Sequence, residues 1–167
     1  MEPRGIMPEK LVDMTLKEYF GSEARKMTPW FAKHTEIIQS LVENPNLKFY
    51  RREKQVDSFF IDIMLNEGSD VYIVENQFGQ GDHDHFGKCI TYAKLTNAKK
   101  VIWIADEFLI EHRKVIQKIE TDIVLVEVQI QSTENKDFAK MHMSVFSKEG
   151  SKHLYFEVCP EGVFEMY

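Results

Sequence analysis

The stretch SFFIDIMLNEGSDVYIVENQ, residues 58–77, contains two apolar runs separated by a polar turn. Ser58–Leu65 and Val71–Asn76 are apolar at almost every position, which is typical of strands in the middle of a covered sheet. The segment between them, Asn66–Asp70, is rich in residues that favour turns. The stretch therefore predicts an antiparallel hairpin.

Each of these predicted strands carries one acid, Asp62 in the first and Glu75 in the second. If the hairpin pairs Met64 with Ile73, Asp62 lies directly opposite Glu75, with Cβ atoms roughly 5 Å apart. A shift of one residue would send the two acids to opposite faces. Charge inside an apolar strand costs free energy unless it is compensated, and two adjacent carboxylates require a shared proton or a cation.

The spacing alone leaves two interpretations of these acids open. In one, the paired oxygens hold a hard divalent ion such as Mg²⁺. In the other, one acid faces solvent at a strand end while the other pairs with Arg51 or Arg52.

The rest of the chain predicts further helices and strands around this hairpin, and so a mixed α/β sheet with helices on its faces. Four helices are predicted. The first is Pro8–Phe20, and the second begins at the cap Thr28 and ends at Asn44-Pro45-Asn46. The third runs from the cap Asp82 to about Asn97, and the fourth is Leu109–Ile119. The further predicted strands are Leu47–Gln55, Lys100–Ala105, Asp122–Gln131, Met141–Phe146, His153–Val158 and Gly162–Tyr167.

Composition indicates a single globular domain. The chain has 167 residues, is 43% hydrophobic and has a net charge of −6, and most of the negative excess lies after residue 105. This balance argues against broad nonspecific binding of duplex DNA. No apolar run approaches the ~18 residues needed to span a bilayer, and the two cysteines build no disulfide framework, so we expect a cytoplasmic protein without a membrane partner.

The predicted helix after Gly81 presents a polar stripe next to an apolar one. His85, Lys88 and Tyr92 are spaced by three and four residues, so they share one helix face. Period two places Glu75 and Gln77 on one face of their strand. We expect the polar stripe to overhang the end of that strand.

Two histidines near the start of this helix raise the alternative of a zinc site. His83 and His85 would diverge at a helix start, and no cysteine lies nearby in sequence to complete a ligand set. We therefore favour capping and supporting roles for Asp82, Asp84 and His85.

Several blocks of the sequence together resemble one known group of proteins. They are Val74-Glu75-Asn76-Gln77, the run Asp82 to Lys88, Thr91-Tyr92-Ala93, Val101 to Ala105, Glu111-His112-Arg113, Thr28-Pro29-Trp30-Phe31 and His34. These blocks resemble an uncharacterised group with a Glu-x-Gln motif in the restriction-endonuclease-like PD-(D/E)XK nuclease superfamily. The resemblance covers roughly Met27 to Ile119.

The resemblance implies an αβββαβ core. We expect this core at residues 28–131, with a helical extension at 1–27 and a strand extension of the same domain at 132–167. It implies a Mg²⁺- or Mn²⁺-dependent phosphodiesterase acting on nucleic acid, with DNA favoured over RNA. Asp62 and Glu75 match the two motif acids, which would hold the ion together with the backbone carbonyl of Asn76.

The remaining site residues follow from the same resemblance. Lys88 and Tyr92 match helix positions that reach the site in several branches, His85 lies on their stripe, and Glu36 is a candidate for an acid contributed by the first helix. Gln77 stands where most members carry lysine. Glutamine can orient a water molecule but carries no charge. We therefore hypothesise that Lys88 supplies the positive charge that the lysine of other members provides.

Two further possibilities concern activity and assembly. The glutamine and the acidic tail leave open a catalytically inactive protein that acts as a nucleic-acid-binding or protein-interaction module. Cutting both strands of a duplex would need two copies, and the C-terminal strands could form a homodimer interface through Leu154, Phe156, Val158 and Phe164.

Overall fold

The computed structural model describes residues 10–159 and 162–166. The helices are α1 (Leu16–Phe20), α2 (Thr28–Lys33), α3 (Thr35–Val42), α4 (His83–Thr96) and α5 (Ile110–Val115), with a π-helical turn at Glu23–Met27. The strands are β1 (Val12–Met14), β2 (Lys48–Val56), β3 (Phe59–Glu67), β4 (Asp70–Asn76), β5 (Lys100–Ala105), β6 (Ile123–Ser132), β7 (Ala139–Ser147), β8 (Gly150–Cys159) and β9 (Gly162–Met166).

All of these strands belong to one mixed sheet. Eight of them lie side by side in chain order from β2 to β9, and β1 pairs with β6. The neighbours β4, β5 and β6 are parallel, while the other pairs are antiparallel. The predicted mixed sheet is confirmed, and so is the αβββαβ order of helix and strand in its core.

The predicted hairpin register is confirmed. Met64 pairs with Ile73, and the ladder continues to Glu67 opposite Asp70. The connection is therefore a two-residue turn, shorter than the predicted turn segment Asn66–Asp70. Gly68 adopts φ 59°, a left-handed conformation that favours glycine at such turns.

Helices cover both faces of the sheet. On one face, α1, α2 and α3 pack through Leu16, Phe31 and Ile38 against the sheet. On the other face, α4 packs through Cys89 and Tyr92. Both faces of β4 and β5 are buried as a result, which explains their nearly continuous apolar runs.

The N-terminal helices differ from the expectation. Val12–Met14 is a strand rather than part of a helix. Pro8 and Glu9 lie outside the described residues, and within the described part of the expected Pro8–Phe20 helix only Leu16–Phe20 is helical. The expected single helix from Thr28 onward is broken at His34, where φ is −109° and ψ is 56°. Thr28 is not a cap but the buried first residue of α2.

The C-terminal strands form as predicted, but two of the residues expected at a dimer contact are already buried within the chain. Phe156 and Val158 are buried in the chain's own core, and Leu154 packs against the same core. Their apolar surface is therefore used within the monomer. The side chain of Phe164 lies outside the described residues.

The three segments expected from the sequence, 1–27, 28–131 and 132–167, all contribute strands to this one sheet. Cys89 is a buried free thiol. Among the residues that the structure describes, none forms a helix long and apolar enough to cross a membrane.

Candidate active site

Asp62 and Glu75 meet where β3 and β4 separate. Ile63 opposite Val74 is the last regular pair of the ladder, and the next step of the same register places Asp62 opposite Glu75. The backbone N–H of Asn76 donates to Asp62 Oδ2 at 2.9 Å. This bond fixes the Asp62 carboxyl beside the end of β4.

The pKa values of both carboxyl groups are raised. Glu75 is only 4% exposed, and its Oε2 atom has no hydrogen-bond partner. Burial raises its pKa, and the nearby Asp62 raises it further. Burial also raises the pKa of Asp62, against the opposing effect of the Asn76 N–H. Two buried acids that repel each other are poised to take up a proton or a cation.

The cations of β2 do not neutralise this pair. Arg51 and Arg52 are exposed, and neither forms an ion pair with another described residue. The interpretation in which one of the acids pairs with these arginines is therefore wrong.

A bulge in β2 explains this outcome. The register between β2 and β3 shifts by one residue between Phe49 and Arg51. Beyond the bulge, Arg52 pairs with Ile63 and Lys54 pairs with Ile61. Glu53, which lies between them, therefore stands opposite Asp62. Without the extra residue, Arg52 would stand opposite Asp62.

Glu53 is a third acid of the site that the sequence did not indicate. Its negative charge raises the pKa of both Asp62 and Glu75. Its φ of 50° lies in the left-handed region, which is strained for a glutamate. Three neighbouring strands therefore present a row of carboxylates: Glu53, Asp62 and Glu75.

Helix α4 brings the predicted polar stripe over this row. Its cap is Asp82, as predicted, which accepts from the backbone N–H of His85 at 2.8 Å. The His85 ring lies between two acids, with Nδ1 2.8 Å from Asp82 Oδ1 and Nε2 4.0 Å from Glu75 Oε1.

Lys88 and Tyr92 extend this stripe along α4. The charge of Lys88 lowers the pKa values of both Asp62 and Glu75. Burial, followed by the two acids, raises the pKa of Tyr92 to about 12. Lys88 is therefore the cation of α4 that acts on the acid pair.

Gln77 is held in a hydrogen-bond network instead of facing the acids. Its Nε2 donates to the carbonyl of Gln80 at 3.0 Å and to Asp82 Oδ2 at 2.8 Å, while its Oε1 accepts from Trp103 Nε1 at 3.1 Å. Both amide hydrogens are used in this way. Gln77 thus anchors the start of α4 to the sheet.

Asn76 connects β4 to the N-terminal helices. Its Nδ2 donates to Thr28 Oγ1 at 3.0 Å, and its Oδ1 is buried without a hydrogen-bond partner. Asn76 thereby places the end of β4, and with it Glu75, relative to α2.

The N-terminal region contributes Glu23 to the site and not the expected Glu36. Glu23 Oε2 accepts from the backbone N–H of Phe78 at 2.7 Å, and its charge raises the pKa values of Asp62 and Glu75. Glu36 is exposed on α3, 3.0 Å from His34 Nδ1. The break at His34 separates α3 from α2, and α3 buries Ile37, Ile38 and Leu41 instead. The only sequence signal for Glu23 is the preceding cap, Ser22.

The histidines do not converge on a common point. His83 Nδ1 lies 2.9 Å from Nε2 of the buried His112, whereas His85 faces Asp82 and Glu75. No three His, Cys, Asp or Glu side chains in the described part of the chain are arranged to hold a metal ion by themselves. The oxygen-rich acid pair, with an unpartnered Glu75 Oε2, fits a hard cation that keeps several water ligands, as Mg²⁺ does.

Comparison with known proteins supports the fold. No protein-family model matches the chain, and no curated protein matches it at a significant level. A repair endonuclease from Pyrococcus abyssi superposes with a TM-score of 0.50 at 17% identity, over 61% of this chain and 45% of that one. EndoMS, solved in complex with dsDNA, superposes with a TM-score of 0.52 at 17% identity, over 74% of this chain and 49% of that one.

The chain thus spans about half the length of each of these endonucleases. At this level of identity, the similarity establishes the fold. The predicted fold class is confirmed: the protein has a restriction-endonuclease-like core, a mixed sheet flanked by helices, with additional strands at its C-terminal end.

Proposed function

We propose that the protein is a metal-dependent nuclease that hydrolyses phosphodiester bonds of nucleic acid, with DNA as the preferred substrate. The observation that carries this proposal is the buried pair of Asp62 and Glu75, with its raised pKa values and the unpartnered Glu75 Oε2. Such perturbed acids, placed together at a strand end, are characteristic of functional sites.

Asp62, Glu75 and the backbone carbonyl of Asn76 would hold one Mg²⁺ or Mn²⁺. The bound ion would activate a water molecule and stabilise negative charge on the phosphoryl group in the transition state. Glu23 and Glu53 add negative potential around the pair and so strengthen its attraction for a divalent cation.

The protein's own residues have separable tasks in this scheme. Lys88 supplies the positive charge that the usual motif lysine would supply, and so stabilises charge on the substrate phosphate. The His85 ring, held by Asp82, lies next to Glu75 and can donate to a ligand bound at that carboxylate. Gln77 holds the start of α4, and therefore Lys88, in place.

The choice of DNA rests on the structural neighbours. One is a repair endonuclease, and the other was solved with dsDNA. The net charge of −6 means that any contact with phosphates depends on local cations, since the whole surface does not attract them.

A cleavage panel tests the proposal. Single- and double-stranded DNA and RNA are incubated with Mg²⁺ and with Mn²⁺, beside the Asp62→Asn and Glu75→Gln variants. Asp62→Asn retains an oxygen acceptor for the Asn76 N–H but removes the charge, so lost cleavage would report the charge and not the fold. Glu36→Gln, on an acid outside the site, serves as the control and should retain full activity.

The second candidate function is a catalytically inactive nucleic-acid-binding or protein-interaction module. The commitment of both Gln77 amide hydrogens to protein acceptors favours it, because the position of the usual lysine then contributes nothing directly to chemistry. Binding of nucleic acid without cleavage under any metal condition would identify this second function.

A further inference from the structure

Two histidine rings face each other on the C-terminal strands. His142 lies on β7 and His153 on β8, and Nε2 of His142 is 2.9 Å from Nδ1 of His153. The strand register pairs His142 with Tyr155 and Ser144 with His153, so the two histidines are diagonal neighbours on one face of the sheet. Tyr155 stacks on His142, with ring centroids 4.5 Å apart and 8° between the ring planes. Met143, which lies between His142 and Ser144 in the chain, is buried in the core on the opposite face.

The face that carries these histidines is open to solvent. Helices α4 and α5 lie on this side of the sheet over β4, β5 and the start of β6, where Arg113 of α5 forms an ion pair with Glu127. Beyond Glu127, a cleft of about 850 Å³ opens along β6, β7 and β8, and Gln129, His142 and Tyr155 contribute to its lining. Solvent and dissolved ions therefore reach the histidine pair.

Hydrogen bonding sets the tautomer of His142. Its Nδ1 lies 3.3 Å from Gln129 Oε1, an oxygen that can only accept. The neutral ring therefore carries its proton on Nδ1 and directs the lone pair of Nε2 towards His153. Burial lowers the pKa of His142 and His153 lowers it further, so the ring is neutral at pH 7. A neutral histidine that donates its other ring N–H to an oxygen is the usual arrangement in metal sites.

A third donor atom lies beside the two facing nitrogens. Ser144 Oγ is 3.3 Å from His153 Nδ1. Two imidazole nitrogens bound tetrahedrally to one ion, each at about 2.0–2.1 Å, lie roughly 3.3 Å apart. The observed spacing of 2.9 Å between His142 Nε2 and His153 Nδ1 reaches that value by a small movement of the exposed His153 ring. A metal ion can therefore take the place of the proton that the two rings share.

We propose that His142 and His153 form a second metal site, which binds a transition-metal ion of the Zn²⁺, Ni²⁺ and Cu²⁺ class with water in the remaining coordination positions. Imidazole nitrogens suit these ions, whereas carboxylate and carbonyl oxygens suit Mg²⁺ and Mn²⁺. The site is separate from the acid pair, because β7 lies three strands away from β4, which carries Glu75. A bound ion would link β7 to β8 across the open face.

A second histidine pair in the chain provides a matched comparison. His83 Nδ1 and His112 Nε2 are also 2.9 Å apart. However, His112 is only 2% exposed, and its ring packs against Phe86 and Trp103. This pair leaves no room for the water ligands that an ion with two histidine ligands needs, so we expect no metal ion there.

The test is a calorimetric titration with Zn²⁺, on protein without an affinity tag and in excess Mg²⁺, which would occupy the acid pair. Wild type should bind one Zn²⁺, and His142→Gln and His153→Gln should each weaken that binding by at least about tenfold. Both rings lie on the open face, so these variants should keep the metal-free Tm of wild type. His83→Gln, which removes the other histidine pair, should bind Zn²⁺ like wild type.

The coordination sphere has its own readout. Electron paramagnetic resonance of bound Cu²⁺ should show two nitrogen ligands in wild type and one in His142→Gln. Gln129→Leu removes only the acceptor of the His142 Nδ1–H, so it should weaken Zn²⁺ binding by about tenfold and still show two nitrogen ligands.

The outcomes that would overturn the site are distinct from a failure of the nuclease. Absence of Zn²⁺ binding to wild type, or equal affinity in wild type, His142→Gln and His153→Gln, would overturn it. Zn²⁺ binding that is lost in Glu75→Gln and retained in His142→Gln would assign the ion to the acid pair and overturn it as well. The cleavage panel with Mg²⁺ tests the proposed nuclease separately, because that activity does not involve His142 or His153.

Discussion

Glu53 stands opposite Asp62 because a one-residue bulge shifts the register of β2 before it reaches the acid pair. The unshifted register would place Arg52 there and give Asp62 a counter-ion. The fold instead places a third carboxylate next to a buried pair and holds it in a strained backbone conformation. Repulsion among these carboxylates destabilises the free protein, and such an arrangement is expected where a bound cation offsets that repulsion.

Neutralising Glu53 should have effects of opposite sign on stability and on metal binding. In EDTA at pH 8, Glu53→Gln should raise Tm slightly, by roughly 1 °C, because repulsion with Asp62 is removed. The same variant should bind Mn²⁺ about three- to tenfold more weakly, because an attractive charge is lost. Thermal unfolding and calorimetry measure the two effects, with Glu134→Gln as the control; equal Mn²⁺ affinity in Glu53→Gln and wild type would refute the role of Glu53.

The stability of the metal-free protein should fall as pH rises. The pKa values of Asp62 and Glu75 are raised to about 7 and about 9, so the folded state holds protons that the unfolded state releases near pH 4. The stabilisation from these protons is complete below pH 4 and is lost as pH rises through the folded pKa values. In EDTA, Tm should therefore fall between pH 5 and pH 9.

The Asp62→Asn variant provides the comparison for this pH profile. Its Tm should fall less over the same range, since one titrating group and its repulsion on Glu75 are gone. Mn²⁺ should stabilise wild type more at pH 8 than at pH 6, because it binds the deprotonated pair. Parallel pH profiles for wild type and Asp62→Asn would show that the pair does not control this stability.

Lys88 should be needed for catalysis and not for metal binding. Replacing it with Met keeps much of the side-chain volume but removes the charge that acts on Asp62 and Glu75. Lys88→Met should abolish cleavage while Mn²⁺ affinity stays within a few-fold of wild type or rises. Full activity in Lys88→Met would exclude it as the functional replacement for the motif lysine.

Gly81 should tolerate no side chain. A Cβ atom at this position would lie 2.5 Å from Cδ1 of Phe108 and 3.0 Å from Cζ2 of Trp103, whose indole also donates to Gln77. Gly81→Ala should destabilise the protein by about 1–3 kcal/mol and lower activity by disturbing the start of α4.

Gly87, which lies within α4, provides the comparison for Gly81, which lies in the loop before that helix. A Cβ there meets nothing within 4 Å, so Gly87→Ala should stabilise the protein by up to about 1 kcal/mol. Chemical denaturation measures both changes. Equal stabilities for the two alanine variants would contradict the packing around Gly81.

The central hairpin could be predicted because its information is local. The apolar runs, the turn residues and the glycine near the turn act within twenty residues, so they fix the register that brings Asp62 towards Glu75. The cap Asp82 and the helix that follows it were predictable for the same reason.

The parts of the site that depend on irregular backbone were not predictable. Glu23 sits in a π-helical turn without apolar periodicity, and the break at His34 directs Glu36 into solvent. The bulge at Tyr50 leaves no clear sequence signal, yet it decides which residue faces Asp62. The contacts of Gln77 also depend on Trp103, which lies 26 residues further along the chain.

The most direct measurement is the calorimetric titration of the metal-free protein with Mn²⁺, in wild type, Asp62→Asn and Glu75→Gln. We predict saturable binding of one ion to wild type, and binding weakened by at least about tenfold in each variant. Absence of binding to wild type, or equal affinity in all three proteins, would contradict the claim that these two carboxylates form a divalent-cation site.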